Sequence, residues 1–294
     1  MENRAIGACM TPTRSSAFEI IQRMPRERLT RLVGRLTEAA VPEPIERLAV
    51  GLYSKAYDVD LTGCVVPRRW GSFDAFFTRA LEPGARPIEG DRSTFVSPCD
   101  GRVEVSRTVD ELGTFRVKGS ELRVADLLGS EEDAGRYIGG EGLVIYLSPR
   151  DYHRVHVPCD ARLGRITSLA GELYPVNELG LANEPRLFAV NRRVVFHLDA
   201  TDAGFGHVAL VMVAALVVGR VSATAIDAGD VPVGEHRLTG APAYGRGDEL
   251  GIFHLGSTVV LFTERGATSG FDGLSAGQSV RLGEAIALRG AAKP

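Results

Sequence analysis

The sequence has little cysteine, one tryptophan, no excess of basic charge and no apolar run long enough to cross a bilayer. Each shortage argues against a class of protein. The 4 cysteines, Cys9, Cys64, Cys99 and Cys159, are scattered and form no C-x-x-C pair. That pattern suits reduced thiols in a cytoplasmic setting rather than a disulfide framework or a structural zinc site. Lys and Arg number 34 against 37 Asp and Glu, a net charge of −3. A general nucleic-acid binder carries a basic excess, so no nucleic-acid partner is expected. The longest apolar run, Val208 to Gly219, has 12 residues, whereas a transmembrane helix needs about 20. Its valine content suits buried strands. Residues 1–15 lack the apolar core of a secretory signal and read as a disordered leader.

What is present is ordinary for a globular chain: 294 residues, 44% apolar and 24% charged, enough for one large or two small domains. From Arg26 to Ala39, Leu29, Leu32, Val33 and Leu36 recur at helical spacing behind Pro25. Pro42 and Pro44 break the pattern, and Ile45, Leu48, Ala49, Leu52 and Ala56 resume it. Residues 11–40 hold 6 Arg against 3 Glu. Amphipathic helices of this kind lie in a membrane interface beside anionic lipid, or else pack their apolar face on the protein's own core. Ser72 is placed to cap a short helix to Arg79, with Phe73, Phe76 and Phe77 on one face. Beyond Pro83 the texture turns to short β-rich runs: Val144–Leu147, Arg162–Leu169, Val194–Leu198, His207–Val213, Leu216–Ala225 and Thr258–Thr263. Helical spacing is nearly absent there apart from Val124–Leu128. The expected fold class is α+β: a leader (1–15), amphipathic, membrane-associating helices (16–65), and a β-rich, mostly antiparallel domain (66–294).

Three segments concentrate polar chemistry. The first, Val96-Ser-Pro-Cys-Asp-Gly-Arg102, carries Asp100 on a turn signal. The second, Leu147 to Pro158, holds His153 and His156, two of the 6 histidines, three residues apart. No ligand-spaced carboxylate or cysteine accompanies them, and on a regular strand they point to opposite faces. One site can use both only if the chain bends between them, and then in different roles. In the third, Gly256-Ser257-Thr258 leads from a glycine-rich turn into an apolar strand, exposing a hydroxyl behind a glycine. Together Asp100, His156 (or His153) and Ser257 supply the orienter, base and nucleophile of acyl chemistry. No G-x-S-x-G elbow is present. His197, His207, His236 and His254 read as structural.

The chain resembles the pyruvoyl-dependent, self-processing phosphatidylserine decarboxylases. The resemblance rests on Phe76-Phe77-Thr-Arg79, Ser97-Pro-Cys-Asp100-Gly101, Val117-Lys-Gly119, Asp151-Tyr-His-Arg-Val-His156, Leu187-Phe-Ala-Val-Asn191, Val211-Met-Val-Ala-Ala-Leu216 and Gly251-Ile-Phe-His-Leu-Gly-Ser-Thr258. These come in the family's order across roughly residues 45–294. Cys99, Val190 and Val217-Val218 depart from its usual pattern.

The resemblance implies two reactions in one site. Ser257 Oγ attacks the Gly256 carbonyl, with His156 as base and Asp100 orienting it. The ester eliminates to dehydroalanine, which loses ammonia and becomes a pyruvoyl group on Ser257. This leaves a β chain of residues 1–256 and an α chain of the last 38 residues. The pyruvoyl ketone then forms a Schiff base with phosphatidylserine, CO2 leaves, and His153 protonates the product, giving phosphatidylethanolamine. No metal or dissociable cofactor is implied. The expected setting is peripheral, on an anionic membrane surface at the cytoplasmic face, as a homodimer of processed protomers. The alternatives are a decarboxylase of a soluble amino acid, an unprocessed serine hydrolase, and a noncatalytic binding module.

Overall fold

The computed structural model describes residues 15–117, 120–216, 219–255 and 257–290. All of the expected leader except Ser15, and the Gly256 half of the expected cleavage site, lie outside the described residues. Three helices open the chain: α1 (Ser16–Arg23), α2 (Arg26–Glu38) and α3 (Glu43–Tyr57). The Ser15 hydroxyl caps α1, Pro25 precedes α2, and Pro44 sits in the first turn of α3, where a missing N–H costs nothing.

Helices α2 and α3 sit on the domain by their polar sides. Thr30 and Glu46 are their buried residues, while Leu32, Leu36, Ile45, Leu48 and Leu52 are each more than half exposed. Glu46 accepts the Trp70 and Gly71 backbone N–H groups at 2.7 and 3.0 Å, which ties α3 down by a carboxylate. The apolar rows expected from the sequence are there, but only their edge reaches the core: Val33 packs against it and Leu29 is half-buried, while the five exposed residues face away. Helix α4 (Phe73–Phe77) follows, capped by the Ser72 hydroxyl, with Phe76 and Phe77 buried. It is shorter than expected, leaving Thr78 and Arg79 beyond its end.

The strands are β1 (Thr94–Val96), β2 (Gly101–Thr108), β3 (Thr114–Val117), β4 (Ser120–Arg123), β5 (Glu141–Leu147), β6 (Arg154–His156), β7 (Ala161–Leu169), β8 (Arg193–Ala200) and β9 (Gly206–Val213). They continue with β10 (Arg220–Ala223), β11 (Gly234–Arg237), β12 (Ala243–Tyr244), β13 (Glu249–His254), β14 (Ser257–Thr263), β15 (Thr268–Ser269), β16 (Ser279–Val280) and β17 (Ala285–Arg289). A large antiparallel sheet runs β11-β7-β8-β9-β14-β5-β2-β16, with β12 also on β7. A smaller one runs β10-β13-β6, a third β1-β17-β15, and β3 and β4 form a hairpin. The expected strand Leu216–Ala225 shrinks to β10. Besides Val124–Leu128, short helices appear at Glu131–Gly135, Glu178–Asn183 and Leu187–Val190. At 4 to 6 residues each they are too short to show a 3.6-residue period. The Ser130 and Asn177 side chains cap the first two of those three.

One feature of this topology positions the site. Strand β14 lies between β5 and β9 in the large sheet, and β13 lies between β6 and β10 in the small one. The chain runs β5 into β6, β9 into β10 and β13 into β14, so three neighbouring ladders cross from sheet to sheet along one seam. Among the described residues the crossing segments are 148–153, 214–216 with 219, and 255. In the last, Leu255 has φ +87°, left-handed backbone that a leucine rarely adopts. Every residue of β14 is buried, as its unbroken apolar run requires. Val259 and Leu261 join one core cluster, and Val260 and Phe262 the other.

Candidate active site

Ser257 is the first residue of β14, opposite Leu147 at the end of β5, and fully buried. Its Oγ has no hydrogen-bond partner among the described residues. His153 ends the 148–153 crossing, and its carbonyl accepts the Phe253 N–H at 3.0 Å, two residues before Leu255. The imidazole is also fully buried, against the Phe77 ring at 4.0 Å between centroids. Nδ1 lies 2.8 Å from the Asp151 carbonyl oxygen. A carbonyl only accepts, so Nδ1 carries the proton and Nε2 has a bare lone pair. That Nε2 has no partner among the described residues. Burial pushes His153 down to about 3, so the ring is neutral.

Buried polar atoms are almost always paired, and an orphan costs about 1–3 kcal/mol. At this seam Ser257 Oγ, Thr258 Oγ1, His153 Nε2 and two nitrogens of Arg79 are all orphaned. Such a concentration is the mark of groups reserved for a ligand or a reaction.

His156 is placed differently. Nδ1 donates to the Gly247 carbonyl at 2.8 Å, so Nε2 accepts from the Tyr152 hydroxyl at 3.0 Å. Both ring nitrogens are therefore engaged, and burial lowers its basicity. Asp100 is held by Arg86 at 2.7 Å and by the Leu282 N–H at 2.8 Å. Backbone pairing brings the two motifs side by side, since the His156 N–H donates to the Pro98 carbonyl at 2.8 Å. No direct hydrogen bond joins Asp100 to His156, or His156 to Ser257, among the described residues. A cavity of about 310 Å³ is lined by Asp100, Asp151, Tyr152, Arg79 and Arg86. Burial raises the Asp151 carboxyl, which accepts from the Ser148 N–H and hydroxyl.

The other histidines sit outside this group. His254 is held by Asp74, Arg220 and Ser222, His207 by Glu264, His197 by Arg165 and Thr167, and His236 by the Pro232 carbonyl. Cys99 and Cys159 are buried beside the Asp100 and His156 motifs, and burial raises both thiols, which keeps them protonated. Arg79 is the member of the site that functional reasoning from the sequence missed. It stood in a quoted motif, Phe-Phe-Thr-Arg, as a plain arginine, and nothing in the linear pattern says that it is buried.

Comparison with known proteins identifies a family. A phosphatidylserine decarboxylase family model matches residues 73–288. A phosphatidylserine decarboxylase proenzyme of Brevibacillus brevis is 40% identical over 278 residues, covering 92% of this chain and 96% of the relative. Those of Myxococcus xanthus and Hahella chejuensis are 37% and 38% identical, over 92% and 88% of this chain and 97% and 89% of their own. The chain belongs to the phosphatidylserine decarboxylase family.

Proposed function

We propose that this protein cuts itself between Gly256 and Ser257 and then decarboxylates phosphatidylserine to phosphatidylethanolamine. The observation that carries the reading is the pair of fully buried, unpartnered groups at the seam, the Ser257 hydroxyl and the bare Nε2 of His153. In the first reaction Ser257 Oγ bonds to the Gly256 carbonyl carbon and the Ser257 nitrogen becomes the leaving group. The hydroxyl proton passes to a histidine, which returns it to that nitrogen. We assign this base to His156, with Asp100 beside it, which requires the Tyr152 hydrogen bond to be exchanged. A second assignment, in which His153 serves both reactions, is favoured by its unoccupied Nε2. Elimination of the ester leaves residues 1–256 ending in a carboxylate and a dehydroalanine at 257, whose imine tautomer takes up water and releases ammonia, so that residues 257–294 begin with a pyruvoyl group. A hydroxyl with no hydrogen bond to lose, in a buried position, fits that fate.

The pyruvoyl group supplies a ketone that takes up the substrate amine and draws in the electrons released as CO2 departs. Around it, His153 Nε2 accepts the proton that the substrate ammonium must shed and returns it to the carbon that lost CO2. Phe77 and the surrounding core exclude water from that exchange. The exposed leucines of α2 and α3, with Arg28 and Arg35 on α2, suit docking on an anionic bilayer. No helix among the described residues is long and apolar enough to cross a membrane. A cavity of about 490 Å³ lies between α2 and the domain, lined by Thr30, Arg192, Gly219, Arg220 and His254, with Gly219 and His254 at its border with the seam.

Intact mass under denaturing conditions tests the reading. We expect two chains divided at 256/257, the smaller one bearing a ketone in place of its amine, and 14CO2 release from carboxyl-labelled phosphatidylserine. Ser257→Ala should give one inactive chain. A single full-length chain that still decarboxylates would overturn the proposal.

A further inference from the structure

The reaction as proposed leaves the buried charge of Arg79 without a task. Arg79 is only 3% exposed and has no carboxylate partner among the described residues. Its Nη2 donates to the Arg150 and Asp151 carbonyls at 2.8 and 3.1 Å, while Nε and Nη1 have no partner. The guanidinium lies 5.7 Å from the centre of the Phe76 ring. Burying a cation without a counter-ion is costly, so its retention calls for a reason other than stability. The Asp151 carbonyl supplies one, because that same oxygen accepts the Nδ1–H of His153 at 2.8 Å.

We propose that Arg79 is a positioning residue for His153: by clamping the two loop carbonyls it keeps His153 in the Nδ1–H tautomer with Nε2 bare. This rests on the reading of His153 as the proton carrier. The charge has a second effect, since the Arg79 cation disfavours a positive imidazole and sharpens His153 as a donor once it has been protonated. The other charges around the ring are already satisfied. The Asp151 carboxylate turns to Ser148, and Arg154, next along the chain, pairs with Glu249 at 2.8 Å and donates to the Thr78 carbonyl. The Phe77 ring packs against the imidazole, and the Phe253 N–H holds the His153 carbonyl.

The test uses the full chain with Arg79→Gln, which keeps N–H donors without the charge, and Arg79→Lys, which keeps the charge without the fork. Intact mass reports cutting, kcat and KM are measured against pH, and 15N-histidine spectra report the His153 tautomer. Arg79→Gln should be cut, lose at least tenfold in kcat with KM within about threefold, and move the acid limb of kcat to higher pH. Arg79→Lys should keep the acid limb of the unsubstituted enzyme but show mixed tautomers and a reduced kcat. An unchanged acid limb in Arg79→Gln, or a defect confined to KM, overturns the proposal and marks Arg79 as structural or as a contact to the substrate anion. If Arg79→Gln does not fold, a single unchanged tautomer in Arg79→Lys overturns it equally. Should His153→Gln decarboxylate normally, the reading of His153 fails instead, whatever the Arg79 variants do.

Discussion

The proposed self-cutting poses a mechanical problem, because a 38-residue piece would have to stay attached with no peptide bond to hold it. Strand β14 is built for this, and Phe262 is its largest side chain. The ring is fully buried, edge-on to Phe115 at 5.3 Å and tilted to Tyr137 at 5.9 Å. Gly142 opposite it on β5 leaves the space, since a Cβ there would stand 3.2 Å from the ring. Phe262→Ala removes the transfer energy of the ring and leaves a cavity that two flanking strands, each hydrogen-bonded to β14, hold open. Substitutions of this kind cost about 3–5 kcal/mol, a large share of a typical total of roughly 5–15 kcal/mol. The control is Leu288→Ala in β17, on the same C-terminal piece but 56% exposed, for which a change within about 0.5 kcal/mol is expected. Urea unfolding of the cut protein measures both. Size exclusion in subdenaturing urea, with mass analysis of the fractions, should show the Phe262→Ala pieces separating first. If Phe262→Ala costs less than about 1 kcal/mol, or no more than Leu288→Ala, then β14 is not the clasp.

Three further outcomes follow from other parts of the molecule. Burial, then the Arg165 cation, pushes His197 down to about 4, so between pH 6.5 and about 4 the unfolded chain binds the extra proton and stability falls as pH falls, by on the order of 3 kcal/mol in full. His197→Gln, whose amide oxygen can still accept from Arg165, should flatten that part of the urea-midpoint-versus-pH curve; an equally steep curve would show that His197 is not responsible. Replacing exposed Leu48 and Leu52 together by Asp should abolish flotation with anionic vesicles while leaving the thermal midpoint within a few degrees, and unchanged flotation would remove α3 from the docking surface. Leu255→Gly, which relaxes a left-handed backbone costing a leucine about 1–2 kcal/mol, should slow the appearance of the cut chains by up to roughly tenfold in a mass time course; cutting at the original rate would mean that the strain does not assist it.

The sequence made the elements legible where a residue pattern was long enough to repeat. The apolar run of β14 and the β-rich run Arg162–Leu169 were readable, whereas the helices at Glu131–Gly135 and Leu187–Val190 span about one turn and leave no period to detect. The amphipathic rows of α2 and α3 were readable as rows, but not their direction, because a leucine stripe has the same spacing whether it faces a core or a bilayer. Only the burial of Thr30 and Glu46 tells which side is inward. The site divides in the same way. Ser257 and the two histidines stood out as residue types in motifs, and the expectation that the chain must bend between His153 and His156 if both serve one site is met in part, since His153 lies in the crossing and His156 in β6. What no local pattern carried was the seam itself. It arises from pairing among β5, β9 and β14 on one side and β6, β10 and β13 on the other, pairs with between 25 and 109 residues of chain between them. Arg79 becomes part of the chemistry only there, where its guanidinium and the His153 ring meet on a single carbonyl oxygen. A reaction that ends by breaking the chain needs its nucleophile on a strand that both halves of the sheet already hold, and that requirement is one of topology, which residue spacing does not record.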